Sequence, residues 1–121
     1  MPGAPDWPTK DPALIERIEE ATASLPVVKR KMFGTESWFV ESNAQMFAGV
    51  WGDALMIRLG EEGVGREIES GGAELFDPMG GRPMREYVLI PSDRLADDSD
   101  LEAWLQKGLE FTAALPPKKK K

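Results

Sequence analysis

The 121-residue chain contains no cysteine and no histidine. The first absence excludes disulfides, thiolate nucleophiles, iron–sulfur clusters and cysteine-based zinc sites. The second removes the commonest general base and the commonest transition-metal ligand. Long hydrophobic runs are missing too: nothing approaches the ~18 apolar residues of a membrane span. The opening Met1-Pro2-Gly3-Ala4-Pro5-Asp6 lacks the basic-then-apolar pattern of an export signal. The expectation is a cytoplasmic protein with no membrane partner. What is present, 41% apolar and 30% charged residues, is a globular composition, and the length suits one domain over 1–121.

Fifteen basic residues stand against 21 acidic ones, a formal net charge of −6, and four of the basic residues form the run Lys118-Lys119-Lys120-Lys121. The remaining acidic body repels a phosphate backbone over a Debye length of ~8–10 Å, so direct, specific nucleic-acid binding is not expected. The lysine run, in a basic tail over 116–121, reads as a solvated end that touches an anionic partner weakly at most.

Residues 1–10 form a proline-rich lead-in. Asp11-Pro12 then starts a helix: the carboxylate accepts from free first-turn amides, and proline lacks an N–H that would go unpaired there. Leu14, Ile18, Ala21 and Leu25 make its apolar stripe, and Pro26 ends it. From Val27 to Leu59 short apolar runs alternate with turn residues: Val27-Val28 before Lys29-Arg30-Lys31, Ser37 to Glu41, Met46 to Trp51, Leu55 to Leu59. That pattern predicts a meander of antiparallel hairpins. The Met46–Trp51 run is apolar on both faces, which marks a central strand, and Gly49 within it marks a bulge or a close approach. Glu61 to Gly72 reads as a short helix, Leu75-Phe76 as a brief strand, Asp77–Pro83 as a loop, and Met84 to Ile90 as a strand. Ser99-Asp100-Leu101-Glu102 matches a capping box opening a last helix. That helix carries Leu101, Trp104, Leu105, Gly108, Leu109, Phe111 and Leu115, with Gly108 placed for close packing. The order predicts an α+β domain of two layers: N-terminal, middle and C-terminal helices on an antiparallel sheet of hairpins.

Lys31-Met32-Phe33-Gly34, Trp38-Phe39-Val40, Met46-Phe47-Ala48-Gly49-Val50-Trp51-Gly52-Asp53 and Leu55-Met56-Ile57-Arg58-Leu59 together resemble the N-terminal domain of the TfoX/Sxy family of bacterial competence regulators. Phe76, Pro83-Met84, Tyr87-Val88 and Pro91 resemble its second sheet segment, and Leu101, Trp104-Leu105 and Leu115-Pro116 its closing helix. The resemblance spans Leu14 to Lys118. It implies a secretion-chaperone-like two-layer domain with no established catalytic activity. It supplies no catalytic residues to carry over.

The candidate chemistry is sparse. Gly60, Gly63 and Gly65 fail the phosphate-loop patterns: Ile68 stands where a third glycine is needed, and no Gly-Lys-Ser/Thr occurs. Asp93, Asp97, Asp98, Asp100 and Glu102 could offer oxygens to a hard cation, but the calcium-loop positions counted from Asp98 hold Ala103 and Leu109. Helix N-terminal acid enrichment explains them better. Glu36, Glu41 and Glu86 adjoin aromatic strands and are the acids a catalytic pair would use. Arg58, near Arg82 and Arg85, could recognise an anion, or simply be solvated strand arginine. Trp38, Trp51, Met46, Met56, Met79 and Met84 exceed what one sheet face readily consumes. Either some form an exposed patch for a partner or a second copy, or the Asp77–Pro83 loop covers them.

The sequence therefore predicts a non-catalytic interaction or regulatory module, acting on a protein partner or as a homodimer. Its binding candidates are Trp38, Met46, Trp51, Met56, Arg58, Arg82 and Arg85. No metal or cofactor is expected. A small-ligand domain with a pocket around Trp38, Trp51 and Arg58 is the alternative, and a hydrolase using Glu41 and Glu86 stands third.

Overall fold

A computed structural model describes residues 10–32, 35–77 and 84–116. The first helix, α1, spans Pro12–Thr22. Asp11 caps it, its Oδ1 accepting from the Ala13 N–H at 3.0 Å, and Pro12 occupies the first turn as its ring geometry favours. Leu14 and Ile18 are buried, while Ala21 and Leu25 pack against the same core from partly exposed positions. The helix stops a turn before Pro26. There the buried Thr22 hydroxyl donates back to the Ile18 carbonyl at 2.8 Å.

Four strands follow: β1 Val27–Met32, β2 Thr35–Val40, β3 Met46–Trp51 and β4 Ala54–Arg58. After helix α2 (Gly60–Glu69) come β5 (Glu74–Phe76), β6 (Met84–Ile90), a short 3-10 turn (Ser92–Arg94) and helix α3 (Asp98–Ala113). All pairings are antiparallel, in the spatial order β1-β2-β3-β4-β6-β5. The domain is the expected α+β architecture, with β1 and β5 at the sheet edges. The lead-in up to residue 9, Phe33-Gly34, the loop residues 78–83 and the tail beyond Pro116 lie outside the described residues.

Two details differ from the expectation. The capping box at Ser99 does not form, because α3 begins earlier with Asp97 in the cap position and Asp98 and Asp100 in its first turn. Ser99 is thereby inside the helix. Of the two meanings offered for Gly49, a bulge or a close approach, the bulge falls instead at Phe47: Trp38 pairs with Ala48 and the next β2 residue, Phe39, pairs with Met46. The extra residue breaks the two-residue alternation of side chains. Phe47 and Ala48 therefore both join the helix-side core, and Met46 faces the opposite way.

The helix-side core gathers Trp38, Val40, Phe47, Val50, Leu55, Ile57, Val88 and Ile90 from the sheet. Against them lie Leu14, Ile18, Val64, Leu101, Trp104, Leu105 and Leu109 from the helices. Each such side chain removed from water is worth about 1.5–3 kcal/mol before the entropy of ordering it. Helix α3 lies over β2, β3 and β4, while α2 covers β6 and β5. Close approach of α3 depends on Gly108: a Cβ there would sit 2.5 Å from Ile57 Cδ1 and 3.2 Å from the Phe47 carbonyl oxygen. Asn43, in the β2–β3 turn, fastens the far end of α3. Its Nδ2 donates to the carbonyls of Thr112 at 2.8 Å and Leu115 at 3.0 Å.

Two glycine-to-alanine substitutions in helices should therefore have opposite signs. Gly65 of α2 has open space around its missing Cβ, so Gly65→Ala should stabilise by about 0.5–1 kcal/mol through helix propensity. Gly108→Ala should destabilise by about 1 kcal/mol or more, because overpacking against Ile57 and a fixed backbone carbonyl outweighs that gain. Urea unfolding midpoints of the two variants measure both.

Candidate functional site

Alternation along the strands places Val28, Arg30, Ser37, Phe39, Met46, Gly49, Trp51, Ala54, Met56, Tyr87 and Leu89 on the sheet face turned away from the helices. The sequence left open whether such a face is an exposed apolar patch or is covered by the chain itself. The structure has a second packed cluster of Phe39, Met46, Met56, Phe76 and Tyr87, with Trp51, Met84 and Leu89 packed partly buried against it. Met56 is 0% exposed and Met46 6%. Two features fill this face. The register of β5 on β6 jumps after Leu75, so that Phe76 pairs with Met84, and the Phe76 ring meets Trp51 edge-on at 5.1 Å and Tyr87 at 6.5 Å. Met56 lies across the bare backbone of Gly49, where a Cβ would come within 2.4 Å of its Cε. This is the close approach that a glycine in a central strand signals.

The ligand pocket imagined around Trp38, Trp51 and Arg58 is not assembled either. Trp38, 2% exposed, belongs to the helix-side core, whereas Trp51 packs on the other face. The thickness of the sheet separates them. The sequence could not distinguish these faces, because β2 and β3 are apolar on both.

Arg58 is held within the protein. Its Nε donates to Glu86 Oε1 at 2.9 Å, its Nη2 lies 2.8 Å from the same oxygen, and its Nη1 donates to Gln45 Oε1 at 3.1 Å. The guanidinium also sits 5.4 Å above the Tyr87 ring. A fork so engaged stabilises the end of β4 and is not free for an external anion. Arg85 is exposed on β6, and Arg82 and Met79 lie outside the described residues.

The candidate acids are dispersed. Glu36 accepts from Lys10 Nζ at 2.7 Å, Glu86 pairs with Arg58, and Glu41 is exposed. The hydrogen bond from Lys10 holds the Glu36 carboxyl below its usual 4.5. The acids from Asp93 to Glu102 are exposed around the start of α3, where Asp98 accepts from Arg17 at 3.0 Å. Among the described residues no group of three or more potential ligands is placed to hold a metal ion. No helix among them is long and apolar enough to cross a membrane. An open groove of about 370 Å³ runs past Asp53, Gly72, Glu74, Leu89 and Asp93. Its cation, Arg94, is engaged by the Gly72 carbonyl at 2.7 Å and by Glu67 at 3.8 Å, and lies 5.0 Å over Trp104.

Two features escaped the sequence reading. The Ser37 hydroxyl is fully buried beside Gly49 with no hydrogen-bond partner among the described residues. The other is the β1 edge. The Pro26 carbonyl faces β2, accepting from the Glu41 N–H at 2.9 Å. By antiparallel alternation the even residues Val28 and Arg30 bond to β2, while Lys29 and Lys31 direct their backbone N–H and C=O groups outward. The residues at this edge, Lys29, Arg30 and Lys31, are all exposed. The trio was visible in the sequence; its place on an edge strand was not.

Tyr87, the one tyrosine of the chain, gives the far-face cluster a spectroscopic reporter. Its hydroxyl donates to the Met46 carbonyl at 2.9 Å, and burial pushes the phenol above its ordinary 10.0, with Arg58 opposing. The neutral form is favoured in the fold, so this stability is complete below pH 10 and fades as pH rises through the folded value. Ultraviolet titration should show ionisation above pH 10 in the native chain and near 10 in denaturant. Ser37→Ala should leave stability unchanged or raise it by about 1 kcal/mol, since an unpaired buried hydroxyl costs about 1–3 kcal/mol; a thermal melt decides.

No curated protein matches the chain significantly. The family model described as the TfoX N-terminal domain matches residues 20–112. That stretch begins within α1 and takes in every strand and nearly all of α3. The chain belongs to the TfoX N-terminal domain family.

Proposed function

We propose that this domain is a cytoplasmic, non-catalytic regulatory module that works by binding another protein. The observation that carries this reading is the distribution of unsatisfied capacity in the fold. Both faces of the sheet are filled by the chain's own side chains. The arginines and acids that could form a reactive centre are paired with one another or dispersed. Among the described residues, the β1 edge is left unpaired, its main-chain donors and acceptors offered in a row beside three cations. Such an edge supports affinity through backbone hydrogen bonds and selectivity through flanking side chains.

The reading differs from the sequence expectation in where contact is made. A greasy sheet face would have recruited a second copy or a partner by apolar burial. An edge recruits by strand pairing. The regulatory character of the competence family, to which the sequence resemblance pointed, agrees with a module of this kind.

Affinity purification of the full chain from its native host, followed by reconstitution of each co-purifying protein with the purified chain, tests the proposal. At least one stoichiometric complex with a micromolar or lower Kd is the expected result. Recovery of no stoichiometric partner, or turnover of a metabolite that Glu86→Gln abolishes, would overturn it.

A further inference from the structure

We infer that the β1 edge accepts an acidic extended segment of a partner protein as an additional strand, a conclusion that rests on the interaction-module reading and names the partner's chemistry. Three observations converge on it. First, β1 is an outer strand of the six-stranded sheet, and the register leaves the peptide groups of Lys29 and Lys31 pointing away from β2. Second, the side chains on this stretch are positive on both sides of the sheet. Lys29 and Lys31 fall on the helix side, opposite Trp38 and Glu36, and Arg30 falls on the far side, 5.9 Å over the Phe39 ring. A strand laid along this edge therefore meets a cation at every residue. Third, the trio lies in a chain otherwise dominated by acid, with 21 acidic residues against 15 basic.

The nearby acids do not cancel this charge. Glu19 of α1 pairs with Lys29, both side chains remaining about 40% exposed, and Glu36 is held by Lys10. Both acids lie on the helix side, where Glu36 shares its charge between Lys10 and Lys31, and Arg30 on the far side faces neither of them.

The charge pattern also decides against a second copy as the occupant. Two β1 edges brought together across a two-fold axis would oppose Lys29-Arg30-Lys31 with itself, and like charges facing each other across strands are destabilising. Edge lysines commonly protect a sheet against self-pairing. The same residues that repel a copy attract an acidic strand, so protection and recognition are compatible.

The test uses the ¹⁵N-labelled full chain titrated at low ionic strength with blocked heptapeptides of sequence VTEEEVT, VTSSSVT and VTKKKVT. The acidic peptide should shift the Lys29 and Lys31 amide resonances, slow their hydrogen exchange at least tenfold at saturation, and lose affinity as salt is added. Lys31→Pro removes one outward N–H without touching the β2 ladder, a position where an edge strand tolerates proline, and should weaken binding at least tenfold. If that variant is unfolded, Lys29→Glu with Lys31→Glu carries the same expectation. Unchanged β1 amides at millimolar VTEEEVT, equal binding of the three peptides, or full binding by both variants would overturn the inference. A reconstituted partner that binds Lys31→Pro as tightly as the parent chain would also overturn it while leaving the interaction module standing. Absence of any stoichiometric partner removes both.

Discussion

The structure depends on two central strands that cannot be left bare on either side. β3 and β4 present Phe47, Val50, Leu55 and Ile57 to the helices and Met46, Trp51 and Met56 to the opposite face. A sheet of this kind must be covered twice, or it exposes apolar surface of the sort that drives association. The helices meet the first requirement, led by α3 with its bare Gly108 against Ile57. Phe76, Tyr87 and the laid-over Met56 meet the second, rimmed by two arginines stacked on aromatic rings. Arg30 and Arg58 lay their guanidinium groups over Phe39 and Tyr87 of the far-face cluster, and Arg58 is paired with Glu86.

This double covering shapes what the surface can offer. Among the described residues, most side chains large enough to anchor a partner are already packed internally. The large apolar side chains classed as exposed among the described residues, Ile68 and Leu75, are only 38% and 36% accessible. The polar groups are similarly engaged: Arg17 ties α1 to the start of α3 through the Leu95 carbonyl and Asp98, and Arg94 ties the end of α2 to Trp104. Such long-range clamps between helices make the helical layer a fixed body. On the proposed reading, recognition falls to the margins of the sheet, where the main chain itself would be the partner-facing group.

Most of the architecture was readable from local chemistry. Asp11-Pro12 placed α1, and the turn residues between the apolar runs separated the strands correctly, because caps and tight turns are decided by a few adjacent residues. The functional surface was much less readable, for a physical reason. Strand alternation tells which residues share a face but not which face is covered, and with the Trp38–Val40 half of β2 and all of β3 apolar, Trp38 could be placed on either. The bulge at Phe47 defeated even the alternation. The register jump that sets Phe76 beside Met84 was equally invisible, because a three-residue strand gives no hint of it. The capping box at Ser99 failed because Asp97 competes for the same role two residues earlier.

The bulge carries a consequence for how the length of β3 can vary. Along this strand Met46 faces one way, Phe47 and Ala48 both face the other, and Gly49, Val50 and Trp51 then alternate again. Removing either member of the Phe47-Ala48 doublet would restore an even rhythm, and every other side chain would keep its own core. Removing Gly49 or Val50 from inside the strand would exchange the contents of the two layers on one side of the gap. Within the strand, the doublet is thus where the gene can lose a codon without turning the sheet inside out.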